Sequence, residues 1–549
     1  MKGWRQILLA LAACLLLTAP AWAAEMDAGD EEAPVMVEYE GVAELFQCGS
    51  LTGEFTRPDE VNLFAEDTVY QQMYNGMKNK QTNILLNGLI ASGDFQNRVA
   101  AYFSKVVNDH PELFYVKNEY TISYYDNGAV YFRPQYLSFT DSQVAQFNAK
   151  VEEIVKSARQ FNTPLEQMLY VHDYLATYCG YNWEVATGNK EPTSRVFSAY
   201  GVLVDRDAVC QGYALAYKLI LNKLGINCIT VTSTDMHHMW NLVQLDGKWY
   251  HVDVTWDDSV PDMQGRALHS YFLLSDSTIS DSFHNHTGWS TTVACSDTTY
   301  ESGYIFNDLD IFSKVRHAVH FWNGSYYYVL SGNGSNSLYK SSSLRTEDQP
   351  PLTTISAPFE ETAQRYGTID SGVVWIGDTL FYVDHEKNVI KYNLTNGVSR
   401  SIGNVVFTSQ NLEVTINGNT QTFIDGIGLR YDSASDTIIA RSATRRSDLG
   451  SFKIPKYSPE WDEDQRTVAI LGLTDDGKTA GVKCETSGCT LWAAYYRNGR
   501  MIGAKCYPIN GTGLQLVELG AKPSSYDNMK MMLLTAGHAP ACEAYPQAS

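Results

Sequence analysis

The sequence predicts an α+β protein, with an α+β lead-in ahead of a core of helices and a β-hairpin, whose second half is built of all-β modules. Three observations predict this. A helix start is written at Thr163-Pro164, a two-residue hairpin turn at Asp246-Gly247, and beyond Tyr300 the helical period gives way to short strands rich in Tyr, Trp and Gly.

At the first of these, Thr163 is a good N-cap, Pro164 is tolerated at the first helical position, and Glu166 completes a capping box. Leu165, Met168, Leu169, His172 and Leu175 then share one side at the 3.6-residue period. A second helix runs from about Gly212 to Leu224 and stops at Gly225, a residue suited to a left-handed cap. Two strands follow, Met239 to Leu245 and Lys248 to Val254. Asp246-Gly247 between them favours a type I′ turn.

The flanks divide by composition. Residues 1–23 read as a signal peptide: Lys2 and Arg5, the eleven apolar residues Ile7 to Leu17, then Ala21-Trp22-Ala23. Eleven residues are too few for a bilayer core that needs about 20, so no stable membrane anchor is expected. Residues 24–35 form an acidic leader. From 36 to 150, helical patterning (Val69, Met73, Met77; Val99, Phe103, Val106) gives way to the strand-like run Tyr120 to Tyr125, which reads as an α+β lead-in domain ahead of a domain at 151–300 that holds the capped helix and the hairpin. Residues 301–462 carry three similar stretches, Trp322 to Lys340, Trp375 to Leu394 and Tyr431 to Ile454. Their interval of roughly 50 residues is that of propeller blades. Three copies fit a partial propeller or a sandwich. Residues 463–549, with hairpin signals at Asp475-Asp476-Gly477 and Asn498-Gly499, read as a small β-sandwich.

Length and composition exclude several classes. The 549 residues are too many for one core, and 44% hydrophobic with 19% charged residues is ordinary globular composition. A formal charge of −21 argues against nucleic acid as a partner, because phosphate binding needs clustered Lys and Arg. Nine of the ten cysteines lie beyond residue 23, without paired metal-ligand spacing, so no metal and no cofactor is expected. Cys484, Cys489, Cys506 and Cys542 cluster near the end in an order that leaves any pairing open.

The informative run is Asp207-Ala208-Val209-Cys210-Gln211-Gly212-Tyr213-Ala214, which puts Cys210 at the start of a helix. The unpaired N–H groups and dipole there stabilise a thiolate, the reactive form of cysteine. The hairpin supplies partners. With Asp246-Gly247 as loop, facing residues sum to 493, so His238 faces Thr255 and Trp240 faces Asp253. All four then share one face, while His237 lies on the other. His238 and Asp253 become diagonal neighbours within side-chain reach, so a carboxylate can orient an imidazole that takes a thiol proton.

Cys210-Gln211-Gly212-Tyr213-Ala214, His238-Met239-Trp240-Asn241 and Trp249 to Trp256 resemble the three signature segments of the transglutaminase-like superfamily. The resemblance covers about residues 160 to 280. It implies a papain-like thiol fold with Cys210 as nucleophile, His238 as base and Asp253 as its orienting carboxylate. Asn108 to Tyr115 and Tyr271-Phe272-Leu273 are similar to stretches around such domains in secreted bacterial proteins. The oxyanion donors include the Cys210 N–H, and Tyr200 and Gln211 are further candidates. Trp240 and Trp256 line an acyl groove or fill the sheet face.

The expected activity is attack on a peptide or carboxamide carbonyl through a Cys210 thioester, as a peptidase, amidase or acyltransferase acting outside the cell or at its surface. Protein or peptide substrates, cell-wall peptide among them, are the expected partners. A protein-crosslinking transamidase and a non-catalytic adhesion or carbohydrate-binding scaffold are the alternatives. The β-rich half is expected to recruit targets, so that a chain ending near residue 300 keeps activity on a small peptide.

Overall fold

The computed structural model describes residues 36–42, 68–91, 93–125, 128–188, 190, 193–258, 262–307, 313–332, 335–346, 350–355, 372–395, 397–408, 411–416, 419–444, 446–454, 461, 464–474 and 478–545. The signal-like segment, the acidic leader and the turn at Asp475-Gly477 lie outside them. The architecture is α+β, with a helix-and-sheet core followed by all-β sheets. No helix among the described residues is long and apolar enough to cross a membrane.

The N-terminal sheet joins Met36–Val42 (β1), Ile84–Leu85 (β2), Val116–Tyr125 (β3) and Val130–Tyr136 (β4) in the order β1-β3-β4-β2, all antiparallel. Helices Thr68–Lys78 (α1) and Phe95–Asp109 (α2) bury the apolar stripe Val69, Met73, Met77, Val99, Phe103 and Val106 against Ile122 and Phe132. This is how a period of 3.6 on the helices meets a period of 2 on the strands.

Two capped helices follow. Thr140 caps Asp141–Ala158 (α3) through Gln143, and Thr163 caps Pro164–Tyr178 (α4) through Glu166, each with both bonds of a capping box. A short parallel pair, Gly180–Tyr181 (β5) with Asp207–Ala208 (β6), leads into Cys210–Leu224 (α5). Every residue of α5 from Cys210 to Leu221 is buried, and Gly225 ends the helix at φ 81°. The sheet that α5 packs against has the order β10-β9-β8-β7, from Cys228–Ser233 (β7), His238–Leu245 (β8), Lys248–Val252 (β9) and Phe272–Leu274 (β10). Asp246 and Gly247 both have positive φ (51° and 79°), as a type I′ turn requires.

Between residues 313 and 453 the sheets are antiparallel and pair mostly neighbours in chain order. Strands of Ser313–Val315 to Thr353–Ile355, of Val374–Ile376 to Ser399–Asn404, the pair Asn411–Ile416 and Asn419–Ile424, and Ile427–Asp432 to Asp448–Lys453 make four separate sheets. Tyr327, Val329 and Leu338 of the first pack on Leu380, Tyr382 and Ile390 of the second, and Phe381, Val383 and Val389 pack on Ile427, Leu429 and Ile438 of the last. The three repeat-like stretches fall on the first, second and last of these; the two-stranded pair between them carries no matching aromatic pattern. Residues 469–534 form two three-stranded sheets facing each other across Val482, Leu491, Ala493, Met531 and Leu533. Cys484 and Cys489 are buried in that core, Cys542 packs beside it, and Cys506 is exposed.

The structure departs from a boundary near residue 300. Tyr300, Tyr304, Ile305, Phe306, Val315, Tyr326, Tyr328 and Leu344 belong to the same hydrophobic core as α3, α4 and α5. The connection is also polar: Ala267 N donates to Arg316 O at 3.0 Å, Val373 N to Gly265 O at 3.2 Å, and Leu429 N to Gln264 O at 2.7 Å. Gly265 makes the approach possible. Its φ is +87°, and a Cβ there would stand 2.5 Å from Val373 O. A chain ending near 300 is therefore expected to lose the cooperative melt and the near-UV dichroism of the whole protein, because it exposes one side of that core. A sharp melt with native dichroism would show that the core closes without the first β-sheet.

Candidate active site

Cys210 opens α5 and has no solvent exposure. The residue ahead of it, Val209, is extended and offers no side-chain cap, so the positive end of the helix acts on the thiol itself. Gly212 seats this first turn against the preceding segment. A Cβ at Gly212 would meet Val196 O at 2.9 Å and the Ala208 Cβ at 3.0 Å.

His238 opens β8 opposite Ser233 of β7, following a turn in which His237 takes φ 49°. The β8–β9 register is the expected one, with Leu245 facing Lys248 and Asn241 facing Val252. It ends there. Asp253 leaves the strand and caps the short helix Val254–Asp257 (α6), its Oδ1 accepting from Thr255 N (3.0 Å) and Trp256 N (3.2 Å). Thr255 is thus helical and does not face His238, a correction to the straight-strand expectation. Asp253 still reaches the imidazole: His238 Nε2 lies 2.6 Å from Asp253 Oδ2. Burial would raise the Asp253 carboxyl, but the His238 charge and the hydrogen bonds from His238 and His286 hold it well below the usual carboxylate range.

The remaining expected residues separate. Gln211 is 1% exposed, and its Oε1 has no hydrogen-bond partner among the described residues. Trp240 is buried, donates from Nε1 to His251 Nδ1 at 2.9 Å, and stacks on His238. It fills the sheet face. Trp256 is 36% exposed with its ring 5.7 Å from that of His238, the position of a groove wall. The Tyr200 ring sits in the core among Phe114, Phe139 and Phe147, with the Arg195 guanidinium 4.6 Å from its centroid. That packing, and not an oxyanion contact, accounts for it.

Two histidines that the sequence reading passed over complete the surroundings. His251 Nε2 donates to Asp276 Oδ1 at 2.9 Å, and burial pushes this imidazole down to about 4. His286 Nε2 contacts the same Asp253 oxygen as His238, at 2.9 Å. No periodicity could have found His286, which stands in an irregular segment after β10. Three groups, His172/Asp173/His269, His238/Asp253/His286 and His251/Asp276/Cys295, bring together side chains of metal-ligating type. In the first two the nitrogen–oxygen separations are 2.9 and 2.8 Å, and 2.6 and 2.9 Å. Those are hydrogen-bond lengths, shorter than the about 3.3 Å between ligands of a tetrahedral zinc with bonds of about 2.0 Å.

Comparison with known proteins bears on the same segment. A family model described as the transglutaminase-like superfamily matches residues 152–254. Kyphoscoliosis peptidase of Mus musculus is 24% identical over 140 residues, covering 23% of this chain and 21% of the relative. The Homo sapiens protein of that name is 26% identical over 139 residues, covering 22% and 21%. The alignments therefore span about a fifth of these curated relatives. A solved structure titled as a TGase aligns with 32% of this chain and 50% of its own, at 15% identity and a TM-score of 0.20. Through residues 152–254 the chain carries a domain of the transglutaminase-like superfamily.

Proposed function

We propose that this protein is a cysteine enzyme that attacks peptide or carboxamide carbonyls through a Cys210 thioester and resolves it with water. The observation that carries the reading is the 2.6 Å contact of His238 with the buried Asp253, in a domain whose helix α5 begins at Cys210. Asp253 occupies Nε2, so the proton exchanged with the thiol moves through Nδ1. His238 takes that proton as Sγ attacks the carbonyl carbon. It returns the proton to the leaving amine as the tetrahedral intermediate collapses to a thioester. Water then attacks, giving up a proton to His238, and the acid departs as the thiol re-forms.

The Cys210 N–H, at the positive end of α5, is the donor that stabilises the oxyanion. Gln211 offers a buried amide oxygen for a substrate N–H, and Trp256 an exposed aromatic wall beside the base. The signal-like N-terminal segment supports action outside the cell, on proteins or peptides of which cell-wall peptide is one class. Crosslinking is the second reading, because an amine can take the place of water with the same residues.

Incubation with a glutamine-rich acceptor peptide and a labelled primary amine separates the two. The expected result is Cys210-dependent release of acid or cleavage product with little amine incorporated. Robust incorporation that vanishes in Cys210→Ala would replace the hydrolase with a transamidase, and no Cys210-dependent product of either kind would leave a binding scaffold.

A further inference from the structure

His286 has no role in the three-residue account, yet it is fully buried against that site. Its ring lies 4.8 Å from Trp240, 4.5 Å from Trp256, 5.4 Å from Tyr271 and 5.5 Å from His238. Its backbone N donates to Ile279 O at 3.0 Å. The ring nitrogens are the informative atoms. Nδ1 stands 2.9 Å from the His284 carbonyl and Nε2 stands 2.9 Å from Asp253 Oδ2.

Both of those partners are acceptors, so each ring nitrogen donates, which an imidazole does only while it carries both protons. The neighbouring His251 is the contrast: it faces one donor, Trp240 Nε1, and one acceptor, Asp276, and a neutral ring satisfies both. The Asp253 carboxylate is in turn complete. Oδ1 accepts from Thr255 N and Trp256 N, and Oδ2 accepts from His238 and His286. Four donors fill the roughly four lone-pair sites of a carboxylate, so the group has one orientation available.

We infer that His286 is a positioning residue of this site: it holds Asp253 from the oxygen that it shares with His238 and so sets the angle at which His238 meets the thiol. The inference rests on the thiol reading above. It has an electrostatic consequence. When Cys210 is a thiolate and His238 an imidazolium, Asp253 leaves the buried site with one excess negative charge. A His286 cation removes that excess, where an isolated buried charge is strongly unfavourable.

The experiment uses the full chain, with iodoacetamide as probe and the alkylation rate at Cys210 read by mass spectrometry of the peptide that contains it. His286→Phe is expected to slow alkylation by about 10- to 100-fold, and His286→Gln, which keeps an N–H for Asp253, to recover to within about 5-fold of wild type. In an Asp253→Ala background, His286→Phe is expected to add no further loss, since it acts through Asp253. A wild-type rate in His286→Phe, a fully additive loss in the double variant, or a folded His286→Gln as slow as His286→Phe would each overturn the positioning role. If His286→Phe does not fold, His286→Leu, which likewise removes both ring N–H groups, takes its place under the same criteria. Should Cys210 prove inert in the wild type while His238→Ala and Asp253→Ala change nothing, the thiol reading itself falls and takes this inference with it. Cys210 reactivity that depends on His238 but not on His286 overturns only the inference.

Discussion

Cys210→Ala is expected to abolish turnover, a loss of about a million-fold, and His238→Ala to match it, because nucleophile and base act as one unit. Asp253→Ala is expected to retain the most activity, with a loss of about ten-thousand-fold in kcat/KM on a peptide amide that the wild type cleaves. The order follows from the geometry. Asp253 exchanges no atom with substrate; it fixes the His238 ring at 2.6 Å and, through its other oxygen, anchors the turn of α6. Its removal leaves both His238 and His286 without their shared acceptor. Kinetics on the three variants check the order, and Asp253→Ala as inactive as Cys210→Ala would show that the carboxylate does more than orient.

The second large effect concerns a buried chain of charges beneath the site. His172 on α4 contacts Asp173 Oδ1 through Nδ1 (2.9 Å) and Asp257 Oδ2 on α6 through Nε2 (3.1 Å). His269 Nε2 reaches the same Asp173 oxygen at 2.8 Å and its Nδ1 donates to Val315 O at 3.3 Å. Asp257 accepts from Tyr271 N, and Asp173 from Val319 N at 2.8 Å. The network thus ties α6, the helix that Asp253 caps, to α4 and to the first β-sheet.

Burial would lower the His172 imidazole, but its bonds to Asp173 and Asp257 outweigh that and raise it to about 9. A folded value above the ordinary 6.5 means that this contribution, on the order of 3 kcal/mol, is complete below pH 6.5 and is lost as the pH rises through about 9. The Asp173 carboxyl is lowered: burial would raise it, and the His269 charge and the bonds from His172 and His269 outweigh burial. Its contribution is present above the ordinary carboxylate range and is lost as the pH falls. Calorimetric melts of wild type and His172→Gln should therefore differ most near pH 6 and converge above pH 9. A gap in melting temperature that stays constant from pH 6 to 10 would mean that His172 is not charged in the folded protein.

Much of the helix-and-hairpin half was legible in the sequence because its signals are local. Thr163, Pro164 and Glu166 form a helix start whose bonds all lie within four residues, and Asp246-Gly247 set a hairpin register that holds from Asn241–Val252 to Leu245–Lys248. A cysteine at the start of a buried helix, and a His and an Asp brought together by that hairpin, likewise follow from short-range rules. The alternation rule failed at one place for a local reason of its own. Asp253 found two N–H groups within three residues, and that cap outweighed two more positions of strand pairing.

What only the tertiary structure decided involves partners far apart in the chain. His286 reaches Asp253 from 33 residues away and His269 reaches Asp173 from 96, through segments without periodicity. Tyr200 packs in a cluster of phenylalanines, and Tyr326 and Tyr328 of the first β-sheet join the core of α3, α4 and α5. The sequence alone determined the capped helix start, the hairpin and its register, and the three residues to which the proposed chemistry is assigned. Tertiary structure decided which buried charges pair and where one core ends, because an unpaired charge or an open apolar face is unfavourable wherever its partner stands along the chain.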